Sequence, residues 1–234
     1  MSLQVRELRS GYRQGEVLHG VDLDIDRGRA LAVLGRNGAG KSTLLLTLMG
    51  LVPLTGGSIR LDGRELAGAR TDRIARAGIA LVPQGRRIWP TVTVREHLIL
   101  AGRRSGGRSW TMERIFDLFP RLAVRRRHLG GQLSGGEQQM LAMARALMTE
   151  PSVVLLDEPS EGLAPAAVDQ VAEVVHTMTQ TGVAVVLVEH DLHMVFGATD
   201  SVAVVARGTI VHRASTAAFR RDPDTADRLL GVAT

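Results

Sequence analysis

A chain of 234 residues is large enough for one substantial domain or two small ones, and the absence of cysteine excludes both a disulfide framework and a cysteine metal site. Hydrophobic residues at 44% and charged residues at 23% are ordinary for a globular chain, and the formal net charge is +5. No apolar run approaches the roughly 18 residues of a membrane-spanning helix, and the N-terminus Met1-Ser2-Leu3-Gln4-Val5-Arg6 lacks the apolar stretch of a secretory signal, so a role at a membrane requires another chain.

Strands dominate the N-terminal third. Residues 17–25 nearly alternate, with Val17, Val21, Leu23 and Ile25 apolar and Asp22, Asp24 and Asp26 polar. Residues 30–34 predict a buried strand that runs directly into a glycine loop, and 44–49 continue as an apolar helix. Between Thr91 and Leu147 the periodicity turns helical. Thr93-Val94-Arg95-Glu96 has capping-box spacing at the head of one helix. Residues 113–119 predict a second helix, stopped by Pro120, and 135–148 a third, closed by Pro151. Between the first two, residues 102–109 are rich in Gly, Ser and Arg and read as a surface loop. Beyond Pro151 come a strand over 152–156, a helix over 165–179, and strands over 183–188 and 201–206. This alternation argues for an α/β fold with a parallel sheet, into which the helical middle is inserted.

The basic residues are unevenly chosen. Of 29, only Lys41 is lysine; the others are arginine. A compact ammonium and a planar guanidinium are not equivalent donors, so position 41 calls for a local reason. Arginine clusters at Arg103-Arg104, Arg125-Arg126-Arg127 and Arg220-Arg221 fit a solvated basic face, a face against anionic lipid, or nucleic-acid contact.

Lys41 belongs to Gly35-Arg36-Asn37-Gly38-Ala39-Gly40-Lys41-Ser42, which matches G-x-x-x-x-G-K-[ST] and sits between a strand and a helix, where that motif must sit. Its glycines let successive N–H groups turn toward phosphate oxygens, and the helix N-terminus adds partial positive charge. Lys41 would reach the β- and γ-phosphates, Ser42 would ligate Mg²⁺, and Thr43 completes the candidate ATP-binding run. A second signal is Val153-Val154-Leu155-Leu156-Asp157-Glu158, a buried strand ending in two acids. Alone, such a pair could begin a solvated loop; beside a phosphate loop, Asp157 suits the Mg²⁺ shell and Glu158 suits polarising the attacking water. The third is Leu133-Ser134-Gly135-Gly136-Glu137-Gln138-Gln139, with Ser134 as a helix cap. One nucleotide does not need two phosphate-binding helix termini from one chain, but two copies facing head to tail would each complete the other's site.

Together these motifs resemble the ABC transporter ATPases over essentially the whole chain. The resemblance implies a P-loop NTPase fold with a mostly parallel core sheet, an N-terminal antiparallel β subdomain and an inserted helical subdomain. It also implies one domain over 1–234, with 1–84 and 151–234 as the nucleotide-binding core and 85–150 as the helical subdomain. Tyr12, the lone tyrosine, falls where the family stacks a ring on adenine. Gln84 in Leu81-Val82-Pro83-Gln84 matches the glutamine that senses Mg²⁺ and water, and His190 matches the switch histidine at the γ-phosphate. Ser134, Gly135, Gly136 and Glu137 would contact the ATP of a partner subunit. Ser160-Glu161-Gly162-Leu163-Ala164-Pro165 occupies the loop that faces the opposite subunit, and departs from the commoner S-A-L-D.

A narrower likeness joins Gln84-Gly85-Arg86-Arg87-Ile88-Trp89-Pro90, Glu137-Gln138-Gln139-Met140-Leu141-Ala142 and Glu161-Gly162-Leu163-Ala164-Pro165 to the branched-chain amino acid importer ATPases, shorter-subunit type, and to the urea and amide importers. His190 stands where that shorter subunit often has glutamine. The likeness implies ATP and Mg²⁺ as cofactors, a second and possibly non-identical ATPase subunit, integral membrane permeases, and indirectly a solute-binding protein. Its implied place is the cytoplasmic side, peripheral on the inner face of the cell membrane. The competing reading, an ABC ATPase acting on nucleic acid or translation, is suggested by the charge. Those proteins usually carry long insertions or two cassettes, whereas here the single signature serine lies 93 positions beyond Lys41. The segment 85–100 is expected to dock on the permease through Trp89, unless Trp89 is core.

Overall fold

The computed structural model describes residues 3–103 and 109–231. The chain opens with the hairpin β1 (Leu3–Tyr12) and β2 (Gly15–Ile25), then β3 (Ala30–Leu34), α1 (Lys41–Leu48), β4 (Leu54–Leu61), β5 (Arg64–Glu65), α2 (Thr71–Ala77) and β6 (Ile79–Val82). The helices α3 (Val94–Gly102), α4 (Met112–Leu118), α5 (Pro120–Val124) and α6 (Gly135–Leu147) follow. Alternation then resumes with β7 (Val153–Asp157), α7 (Pro165–Gln180), β8 (Ala184–Val188), α8 (Leu192–Ala198) and β9 (Ser201–Ala206). The chain closes on β10 (Thr209–Ser215), α9 (Thr216–Arg220) and α10 (Pro223–Leu230).

Two sheets form. One is antiparallel in the order β2-β1-β4-β5; the other has the order β10-β9-β3-β8-β7-β6 and is parallel except for β10. The parallel strands are covered on both faces, which is why they read as unbroken apolar runs. Successive strand residues face opposite sides. Val153 and Leu155 therefore pack beneath the antiparallel sheet with Leu44, Leu45 and Leu48 of α1, whereas Val154 and Leu156 pack with Leu141, Val171 and Val175 of the helical layer. Val94, Leu98, Ile115 and Met140 of the inserted helices join that same helical-side core. A smaller cluster of Ala32, Leu34, Val202, Val204 and Phe219 seats the C-terminal helices.

Local signals behave as their chemistry requires. Glu96 N–H donates to Thr93 Oγ1 at 3.3 Å and Thr93 N–H donates to Glu96 Oε2 at 2.9 Å, the reciprocal cap predicted for α3. Pro120 ends α4 as predicted, but it also starts α5, since its fixed φ and missing N–H suit a first helical position. The loop predicted over 102–109 starts on the last residue of α3, and its positions 104–108 lie outside the described residues.

Candidate active site

The loop between β3 and α1 is shaped by close approach. Gly35 has φ 149°, and a β-carbon there would stand 2.2 Å from the Val205 carbonyl oxygen of β9, so only glycine lets the chain leave the strand at this angle. Gly40, with φ 109°, caps α1. Between them Ala39 N–H donates to the Arg36 carbonyl at 3.1 Å, closing a turn that exposes Asn37 and Gly38. Ala39 and Thr43 are buried beneath the loop. Lys41 is only 5% exposed, and its ammonium donates to the carbonyls of Gly35 at 2.7 Å and Arg36 at 3.2 Å. Burial pushes its pKa down, and the nearby Glu158 and Asp157 pull it back up.

The register of β7 against β8 supplies the acids. Asp157 pairs with Val188, and Glu158 N–H donates to the Val188 carbonyl at 2.9 Å, so the residues after both strands emerge side by side. Glu158 is left-handed at φ 49°, a conformation that costs a non-glycine residue about 1 kcal/mol or more. Its Oε1 lies 2.5 Å from His190 Nε2, and its Oε2 accepts from Gln84 Nε2 at 3.3 Å. Ser42 Oγ donates to Asp157 Oδ1 at 3.0 Å across from the loop. Burial pushes the Asp157 carboxyl up; the Ser42 hydrogen bond opposes this, and Glu158 adds like-charge repulsion. A hydroxyl and a carboxylate oxygen at this spacing fit a hard divalent cation that takes one or two protein ligands and completes its shell with phosphate and water.

Lys41, Ser42, Gln84, Glu158 and His190 line one cleft of about 580 Å³, together with Gly38 and Gly40. Several predicted residues are not in its lining: Gly35, Arg36 and Ala39 of the loop, Asp157, which meets the cleft only through its bond from Ser42, then Tyr12 and residues 134–137. Tyr12 stands half-exposed at the end of β1, and Val17 of β2 lines the cleft instead. Ser134, Gly135, Gly136 and Glu137 line a separate cavity with Leu163 and Gln170. There Ser134 caps α6 in a reciprocal box, Glu137 N–H to Ser134 Oγ at 3.3 Å and Ser134 N–H to Glu137 Oε2 at 2.9 Å. Glu137 sits below the usual carboxylate range: burial alone would raise it, but the Ser134 hydrogen bonds and nearby Arg125 outweigh that.

Sequence reasoning missed Glu189. It is 2% exposed, and its carboxylate accepts backbone N–H bonds from Ser160 at 3.0 Å, His190 at 2.7 Å and Asp191 at 3.1 Å. It thus ties the loop after β7 to the loop that carries His190. The signal was present: an acid closing a buried strand, as in Asp157. Glu189→Ala strands three donors and is expected to destabilise the chain by about 3 kcal/mol or more, read from denaturant unfolding. A loss within about 0.5 kcal/mol would show that water replaces the carboxylate at no cost.

A strand, a glycine loop gripped by its own lysine, a following helix, and acids on a parallel strand of the same sheet define a P-loop nucleotide-binding protein. Residues 18–161 match the family described as ABC transporter. The high-affinity branched-chain amino acid transport ATP-binding protein BraG of Pseudomonas aeruginosa is 41% identical over 222 residues, covering 94% of this chain and 95% of that one. The ribose import ATP-binding protein RbsA of Oceanobacillus iheyensis is 32% identical over 218 residues, but the chain spans only 44% of its length. Among solved structures, the ATP-binding subunit of an ABC transporter superposes with a TM-score of 0.84 at 29% identity, covering 98% of both chains. The cassette MJ0796, in a dimeric post-hydrolysis state with ADP and phosphate, shares the fold at a TM-score of 0.79 and 23% identity, covering 92% of this chain and 98% of that one. The chain belongs to the ABC transporter family and is an ABC-type ATPase.

Proposed function

We propose that this chain is the ATP-hydrolysing subunit of a membrane importer for branched-chain amino acids or related small polar solutes such as urea and amides. The observation that carries this reading is the convergence of Lys41, Ser42, Gln84, Glu158 and His190 on one cleft, with Asp157 accepting a hydrogen bond from Ser42. The strong likeness to BraG supports the substrate class. Residues 35–43 would hold the ATP phosphates, Lys41 turning from the loop carbonyls to the β- and γ-oxygens. Ser42, Asp157 and Gln84 would hold Mg²⁺, which when bound neutralises charge developing on the transferred phosphoryl. Glu158 would accept the proton of the attacking water, and His190 would orient Glu158 and face the γ-phosphate. Tyr12 would stack on adenine from the hairpin end, with Val17 beneath.

Ser134, Gly135, Gly136 and Glu137 would serve the nucleotide of a second ATPase subunit, identical or not, since they lie outside the chain's own cleft. Residues 1–84 and 151–234 would act as the nucleotide core and 85–150 as the helical lobe that moves against it. Among the described residues no helix is long and apolar enough to cross a membrane. Permease subunits would therefore hold the chain on the inner face of the membrane, and a solute-binding protein would act through them. Loss of the chain should abolish uptake of radiolabelled leucine by its host, and restoring the wild type should recover it. Normal leucine uptake with loss of another solute would reassign the substrate.

Trp89 supports docking. It is 49% exposed, stacked with His97 at 5.3 Å between ring centres, with the Arg145 guanidinium over the ring at 5.0 Å. A half-exposed aromatic ring held in place by a histidine and an arginine is typical of an interface anchor. Trp89→Ala should weaken assembly with the permease by about 2 kcal/mol or more. It should cost the isolated chain only about 1.5 kcal/mol, because half the ring is already in water. Paired measurements of complex affinity and chain unfolding separate the two; a large stability loss with unchanged assembly would make Trp89 a core residue.

A further inference from the structure

We propose that Arg86 is a positioning residue for hydrolysis, tying the segment after Gln84 both to the first turn of α6 and to the loop after Glu158. Its Nη2 donates to the Glu161 carbonyl at 3.2 Å. Its guanidinium also lies against Gly135, where a β-carbon would stand 2.9 Å from Nη1 and 3.4 Å from both Cζ and Nη2. Nη1 is the nearest of the three atoms, so the Nη1 end of the guanidinium abuts Gly135, and a side chain at that position would have to displace it. Gln84 Nε2 donates to Glu161 Oε2 at 2.7 Å, so the side chains of residues 84 and 86 hold the same loop residue.

The backbone between them is unusual. Gly85, Arg86 and Arg87 are left-handed in succession, at φ 78°, 61° and 48°. Two non-glycine residues stay in that region only where surrounding contacts over-determine them. The contacts are visible: Arg86 presses on the start of α6, and Arg145 near the end of the same helix donates to the Arg87 carbonyl at 2.9 Å. One helix therefore fixes the segment twice. Gln84, 3.3 Å from the Glu158 carboxylate, is held at a set distance from Ser134 and Gly135 by this arrangement. Without Arg86, the glutamine that faces the reaction and the turn that faces the partner's nucleotide move independently. Lysine cannot substitute, because its single nitrogen cannot reach Gly135 and the Glu161 carbonyl at once, as Nη1 and Nη2 do.

The inference rests on the ATP-hydrolysing reading of the cleft, and its test has one arm that does not. Amide hydrogen exchange of the nucleotide-free chain is compared for wild type, Arg86→Ala and Arg86→Lys. In both variants residues 134–139 and 159–163 are expected to exchange at least about fivefold faster, with residues 41–48 unchanged. In steady-state ATP hydrolysis by the complex with its membrane partner, both variants should lose about tenfold in kcat with KM within about twofold. Unchanged exchange would overturn the tie, and unchanged kcat in an active enzyme would overturn its role in hydrolysis. A tenfold rise in KM at constant kcat would make Arg86 a phosphate ligand instead, and full rescue by lysine would reduce it to a charge. If the wild type shows no turnover, the ATPase reading fails and the exchange comparison alone decides the tie.

Discussion

Glu158→Gln is expected to bind ATP with unchanged affinity and to release phosphate at least about a hundredfold more slowly, the scale of a positioned general base. The substitution keeps shape and hydrogen-bonding length while removing the proton acceptor. Glu158 is poised for that role: one carboxylate oxygen is engaged by His190 and the other by Gln84, on a left-handed turn just past the strand end. An amide there still offers a carbonyl to one neighbour, so the local fold survives. With hydrolysis blocked, the two ATP-bound subunits should remain closed, giving a species of doubled mass in size-exclusion chromatography with Mg-ATP. Retained hydrolysis would move the base to His190.

Lys41→Arg is expected to lower ATP turnover at least about tenfold, or about 1.4 kcal/mol in the barrier, although charge is conserved. The Lys41 ammonium is a small donor group that reaches the Gly35 and Arg36 carbonyls from inside a loop where almost no solvent enters. A guanidinium is wider and planar, and it cannot swing between loop carbonyls and phosphate oxygens within the same space. Near-normal turnover of the variant, measured with its membrane partner, would leave the lone lysine among arginines unexplained.

Much of this was legible in the sequence because the chemistry is local. The phosphate loop, the strand-end acids and the Ser134 cap are short runs whose geometry follows from their own residues. The covered parallel strands showed as apolar runs for the same reason. What stayed hidden depends on register and distance. Nothing local says that Glu158 meets His190; the pairing of Asp157 with Val188 does. Glu189 looked like the tail of a strand until burial gave it three backbone donors. Elements such as β5 and α2 are too short to show a period, and β4 carries Gly56 and Gly57 where alternation would be read. Tyr12 was placed by family likeness, whereas Val17 lines the cleft because of how the hairpin packs.

The central claim is ATP hydrolysis coupled to a membrane partner. Its most direct test is phosphate release by the complex captured from detergent-solubilised membranes through a tag on this chain, wild type against Glu158→Gln. The account predicts turnover in a complex containing multi-span membrane proteins, and its loss in the variant. Equal turnover in both, or an active chain recovered with nucleic acid and no membrane protein, would contradict it.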